Sequence, residues 1–338
     1  MKKMLRFLLF CFYSLLGLVT LCAALFAYFI YSADPELPQL SGTVTKTSIE
    51  VDGLNRIYRT YLPKGLAKDA PLVFVMHGSG QNGAQIRIET GYGFERLADQ
   101  FGFAVVYPNS SSSDWNDCSK VGDFSVNGHE VDDVKFLNIL VNKLITDIGV
   151  NQARVFATGV SSGGMMAMRL AIEAPEKFRA VAAVSANVPT ANNFKCTPTG
   201  QGTSVLIMNG TKDPLIPFAG GESSLFGLFY KSGTVRSSSD SALYFAEQGK
   251  ITGRPTINSS PVVGELNVGH AVWRDNSKLE VELVTIHGGG HGLPQPFWRR
   301  PRLLGPSPMT PNGAAMIWDF FERQKSQVPV RPKAVPLP

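Results

Sequence analysis

The sequence predicts an α/β fold: a mainly parallel sheet with helices on both faces and small loop insertions over one edge. Three observations carry this. Short apolar runs such as Leu72–Met76 show no polar alternation, as in strands buried on both faces. These runs alternate with stretches of helical spacing, which argues for βαβ units. The length, 338 residues, suits one catalytic core with appendages.

From the N-terminus, Lys2, Lys3 and Arg6 form a basic tail, and residues 7–31 carry no charge. An apolar run of that length reads as a membrane-spanning helix with its basic flank in the cytoplasm. The competing reading is a cleaved signal peptide ending at Cys22-Ala23-Ala24, which would leave an apolar stub on the mature chain. Both readings export the rest of the chain. Residues 32–42 hold two prolines and read as a linker. Residues 43–325 form the expected catalytic domain, and the proline-rich 326–338 a disordered tail.

Within the domain, residues 43–62 alternate and suggest a hairpin. Strands are expected at 72–76, 104–107, 154–157, 181–184, 205–208 and 279–286. Helices are expected at 94–101, 136–148, 162–174 and 314–321, with Asp132 and Asp133 at a helix start. No internal repeat is visible. The net charge is +5, and its Arg299, Arg300 and Arg302 run is short. No basic stripe with interleaved aromatics exists, so a nucleic-acid partner is not expected. Oligomeric state is not readable. Of four cysteines, Cys11 and Cys22 lie in the apolar run. That leaves Cys118 and Cys196 as an expected disulfide of an exported domain, with two separate thiols as the alternative.

The chemistry centres on Gly159-Val160-Ser161-Ser162-Gly163. It fits G-x-S-x-G with a strand before and a helix after, the context of a nucleophile elbow in the α/β-hydrolase fold. A serine hydroxyl needs a base, and in this fold the acid and then the histidine follow the serine. That order excludes His77 and His129. His291, beyond Gly288-Gly289-Gly290 at a strand end, is preferred to His287. Asp213, in a Gly- and Pro-bounded turn past the strand 205–208, is the expected acid. The oxyanion needs two N–H donors. One is expected from Ser162 and the other from the His77-Gly78-Ser79-Gly80 loop, Ser79 first and Gly80 next. The chemistry requires no metal or organic cofactor, and no Cys/His spacing suggests zinc.

Five motifs occur in one order: Met76-His77-Gly78-Ser79-Gly80-Gln81, Glu130-Val131-Asp132-Asp133-Val134, Gly159 to Met165, Asn209 to Pro214, and Gly289-Gly290-His291-Gly292. Together they resemble the exported esterases that include poly(3-hydroxybutyrate) depolymerases and feruloyl or acetylxylan esterases. The resemblance covers about residues 45–323. It implies Ser161, Asp213 and His291 as a triad, His77 to Gly80 at the oxyanion hole, and a structural role for Asp132 and Asp133. The sequence departs from the family pattern in having Leu293-Pro294 where Trp-Pro is usual and Ser79 where Cys is frequent. His77, Trp115, Phe218 and Trp298 are expected to line the substrate site, with Phe229, Tyr230 and Phe297 nearby. The expected partner is an ester, polysaccharide-linked or polyester. The rival functions are an exported serine peptidase and an inactive membrane-tethered binding module.

Overall fold

The computed structural model describes residues 2–122, 124–126, 128–225, 227–260, 267–274 and 279–324. The expected 326–338 tail lies outside them. The chain begins with α1 (Lys2–Phe29), a helix of 28 residues that buries no side chain. Its most apolar 18-residue stretch has a mean hydropathy of 2.3, so it is long and apolar enough to cross a membrane. A coil then leads into the hairpin β1 (Thr43–Val51) and β2 (Leu54–Leu62).

The core elements follow as β3 (Leu72–Met76), α2 (Gly83–Glu89), α3 (Gly93–Phe101), β4 (Ala104–Pro108), the two-residue strands β5 (Ser125–Val126) and β6 (His129–Glu130), and α4 (Asp133–Ile148). Next come β7 (Val155–Val160), α5 (Ser162–Glu173), β8 (Ala180–Val184) and β9 (Ser204–Gly210). Then come the hairpin β10 (Gly221–Leu225) and β11 (Phe229–Val235), α6 (Ser238–Gln248), β12 (Thr256–Ser260), β13 (Val268–Arg274), β14 (Glu280–Ile286) and α7 (Gly313–Arg323).

Ten strands form one sheet in the order β1-β2-β4-β3-β7-β8-β9-β14-β13-β12. The six from β4 to β14 are parallel, and antiparallel pairs flank them on both sides. This mixed sheet between helices is the α/β-hydrolase architecture that the sequence predicts. Strands β3, β7, β8 and β9 are buried along their whole length, which explains their unbroken apolar runs. One core packs α4, α5 and α6 against one face. The other packs α3 and α7, with Phe103 stacked on Trp318 and Phe156 on Phe321.

Asp132 caps α4 by accepting from Lys135 N, as an acidic helix start should. Asp133 instead is buried and ion-paired with Arg56 at 2.5 Å, and it accepts from Asn116 N at 2.8 Å. It thereby ties the loop after β4 to the sheet. The same loop is joined to the segment after β8 by a Cys118–Cys196 disulfide closing 78 residues. On a chain-entropy account, such a closure contributes about 4.5 kcal/mol. The Cys118→Ser/Cys196→Ser double variant is expected to lose about 2–5 kcal/mol in denaturant titration. An unchanged midpoint would show that the bridge restrains nothing.

Candidate active site

Parallel strands of such a sheet present their C-terminal ends to one edge, where ligands bind. Three sequence-predicted residues meet there. Ser161 follows β7 and begins α5 with φ 58° and ψ −123°, a conformation that L side chains rarely adopt. The surrounding glycines make that turn possible. A Cβ on Gly159 would stand 2.4 Å from the Gly163 backbone, and one on Gly163 would stand 2.4 Å from Met76 O and 2.5 Å from His77 O. The elbow is therefore pressed against the end of β3, and no side chain fits between them.

Asp213 lies in the turn after β9, with its side chain 1% exposed. Its Oδ1 accepts from Leu215 N at 2.8 Å and Ile216 N at 2.9 Å. The His291 ring donates from Nδ1 to Oδ2 at 2.9 Å. Burial works against the Asp213 charge. The His291 ring and the two backbone donors outweigh it and hold the carboxyl below its ordinary range. His291 is fixed through its backbone: its N–H donates to Leu304 O, and Arg300 Nη1 donates to His291 O, both at 2.8 Å. Gly292, at φ +124°, lies directly under that guanidinium, where a Cβ would come 0.5 Å from Arg300 Nη1. Ser161 and His291 line one cavity of about 310 Å³ and share no hydrogen bond. Catalytic hydrogen bonds often close only when substrate is bound.

Around Ser161, the N–H of Ser162 sits at the first turn of α5 and has no intrahelical acceptor. The Ser162 hydroxyl accepts from Trp115 N at 3.1 Å. In the loop after β3, Gly78 N donates to Gln81 Oε1 at 3.1 Å and Gly80 N to Ser113 O at 2.7 Å. Gly80, an expected donor, is therefore engaged elsewhere. Ser79, the first expected donor of that loop, lines the cavity with Ser161. Gln81, absent from the expected site residues, fixes this loop by a second bond to Glu89.

The four expected lining residues are all displaced from the cavity wall. His77 is fully buried, donating from Nδ1 to Gly78 O at 2.8 Å and accepting at Nε2 from Ser110 N at 3.0 Å. Trp115 is fully buried beneath it, its Nε1 donating to His77 O at 2.9 Å. Both brace the floor rather than face substrate. Phe218 is half-buried away from the cavity, and its carbonyl accepts from Ser238 N. Trp298 packs on the N-terminal linker, Nε1 donating to Ala33 O at 2.8 Å. Phe297 lies under Arg96, and the Tyr230 side chain is outside the described part. The wall is instead built by Val160, Met165, Leu215, Ile216, Leu225 and Leu304, with Asp117, Glu89 and Lys231 at its polar points.

Two buried titrating groups here oppose each other in pH. Burial lowers His77 from 6.5 to about 4. Its folded value is depressed, so its stabilisation is present above pH 6.5 and lost as pH falls through 4. Burial raises Asp117 from 3.8 to about 6. Its contribution is present below pH 3.8 and lost as pH rises through 6. Each is worth roughly 3 kcal/mol, with opposite sign over nearly the same window. Asp117→Asn is expected to raise the neutral-pH Tm and to steepen its fall between pH 6 and 4. Parallel Tm–pH curves for the two proteins would contradict this.

Comparisons with known proteins place the chain among esterases. The family model described as Esterase PHB depolymerase matches residues 56–195. "Putative esterase NocK" of Nocardia uniformis subsp. tsuyamanensis is 30% identical over 296 residues, 84% of this chain and 84% of that protein. The chain belongs to the esterase PHB depolymerase family. Feruloyl esterase C of Emericella nidulans is 30% identical over 53% of this chain and 62% of that enzyme. Poly(3-hydroxyalkanoate) depolymerase C of Paucimonas lemoignei is 26% identical over 69% and 58%. Against these two, the chain spans about six-tenths of the relative's length. Acetyl xylan esterase from Aspergillus awamori shares the fold, with a TM-score of 0.58 at 17% identity, over 83% of this chain and 100% of that one. Membership in the PHB depolymerase esterases makes this chain a carboxylic ester hydrolase.

Proposed function

We propose that this esterase hydrolyses carboxylic esters through a Ser161–His291–Asp213 triad, on the outer side of a membrane to which α1 tethers it. The observation that carries this reading is the strained Ser161 elbow in one cavity with a His291 ring already hydrogen-bonded to a buried Asp213. Because Asp213 accepts at Nδ1–H, the free Nε2 of His291 is the acceptor for the serine proton. Ser161 Oγ attacks the acyl carbon, and its proton passes to His291. The tetrahedral oxyanion accepts from the N–H groups of Ser162 and Ser79. The C–O bond breaks, and the leaving alkoxide takes the proton from His291. Water, activated by the same histidine, then cleaves the acyl-enzyme and returns Ser161.

The outer location rests on the basic Lys2, Lys3 and Arg6 ahead of α1. The named activities of the relatives define the substrates to compare: feruloyl esters, acetylxylan and hydroxybutyrate oligomers. A fluorophosphonate probe applied to the full chain is expected to label one serine, mapped by peptide mass spectrometry to Ser161. An unlabelled Ser161 would remove the mechanism.

A further inference from the structure

The end of the membrane helix forms part of the active-site wall. Ile30 follows α1 directly, with Ile30 N donating to Phe26 O at 2.9 Å, and it lines the cavity that holds Ser161 and His291. The residues just after His291 hold that end in place. Arg302 Nη1 donates to Tyr28 O at 3.0 Å, with its guanidinium 4.4 Å over the Tyr28 ring. Ser32 Oγ donates to Arg299 O, and Trp298 Nε1 donates to Ala33 O. Pro301, Leu303 and Leu304 of the same segment are cavity wall.

Geometry then fixes the height of the cavity. A helix of 28 residues rises about 42 Å, enough for the hydrocarbon core and the headgroup layer beyond it. A residue one position past its end stands at the outer membrane surface, so the cavity opens there. A second apolar element stands beside the opening. The β10–β11 hairpin gives Leu225, Lys231 and Ser232 to the wall, and at its tip Leu228 is 72% and Phe229 58% exposed. Exposed Arg299 and Arg302 add positive charge of the kind that meets anionic headgroups.

Resting on the serine-esterase reading above, we infer that the substrate is a carboxylic ester whose apolar acyl chain is presented from the outer leaflet. The chain enters past Ile30 and Leu304 to reach Ser161. The lipid layer is thus the third wall of the binding site, and the apolar hairpin tip seats against it.

The test uses the full chain reconstituted in phosphatidylcholine vesicles with a minority of phosphatidylglycerol. Two esters are compared: water-soluble p-nitrophenyl acetate and p-nitrophenyl palmitate dissolved in the vesicle. Palmitate turnover is expected to follow its mole fraction in the vesicle surface rather than its bulk concentration. Arg302→Ala, an exposed change outside the cavity wall, is expected to lower palmitate turnover about tenfold more than acetate turnover. Ile30→Asp is expected to lower palmitate turnover at least as much. Palmitate turnover that ignores surface dilution, or an Arg302→Ala loss equal for both esters, would overturn the inference. Failure of the unsubstituted chain to hydrolyse acetate would instead remove the serine-esterase reading, and this inference with it.

Discussion

Ser161→Ala is expected to lower kcat on p-nitrophenyl acetate by about 10⁶-fold, with Tm essentially unchanged. The size follows from the lack of a substitute nucleophile at the elbow. The neighbouring Ser162 hydroxyl is buried and turned toward Trp115 N. The hydroxyl of Ser185, near the histidine loop, is engaged in accepting from Gly292 N at 2.6 Å. Only the oxyanion donors stay in place, and alone they sustain about 10³–10⁴-fold over water. Alanine keeps the strained backbone because the elbow is imposed by Gly159 and Gly163, not by the hydroxyl. Steady-state rates measured beside circular dichroism separate lost chemistry from lost fold. A rate within about a hundredfold of the unsubstituted enzyme would exclude Ser161 as the nucleophile.

Asp213→Asn is expected to cost about 10⁴-fold in kcat, for a reason visible in its hydrogen bonds. Leu215 N and Ile216 N both donate to Oδ1. In the variant they hold the amide oxygen at that position and leave the NH₂ where Oδ2 now receives His291 Nδ1. A donor then faces a donor. The imidazole answers by moving its proton to Nε2, where it can no longer accept from Ser161. KM should change little, because Asp213 does not border the cavity. The double variant with Ser161→Ala is expected to be no slower than Ser161→Ala alone, since the triad acts as a unit. Additive losses would mean that Asp213 acts by some route other than His291.

The central sheet is legible in the sequence because parallel strands buried on both faces leave unbroken apolar runs. The strained turn at Ser161 is legible because its glycines serve backbone contact, which only glycine allows. The order Ser161, Asp213, His291 is likewise readable from strand ends. Other elements are not readable, for physical reasons. α6 starts in the Ser237–Asp240 run, whose composition is typical of a turn: Ser237 caps the helix by accepting from Asp240 N, and mainly the later residues face the core. The edge strand β12, Thr-Ile-Asn-Ser-Ser, is largely exposed and has no apolar face to declare itself. β13 carries His270, whose contact with Glu282 on β14 exists only across the sheet. Depth is hidden as well. Proximity in sequence to the site places His77 and Trp115 correctly along the chain, but not beneath the floor. Ile30 lies far ahead of Ser161 in the chain, and nothing in its surroundings marks it as part of the cavity.

The fit between Gly292 and Arg300 has a consequence over evolutionary time. With the guanidinium occupying the volume a Cβ would need, any side chain at 292 is blocked while Arg300 is present. The reverse path is open: a lineage can shed Arg300 first, giving up the donor to His291 O. Position 292 stays held to glycine even so, because its φ of +124° strains any L side chain there. The dependence therefore runs one way: a side chain at 292 displaces the arginine, whereas descendants that have lost the arginine should still keep glycine at 292.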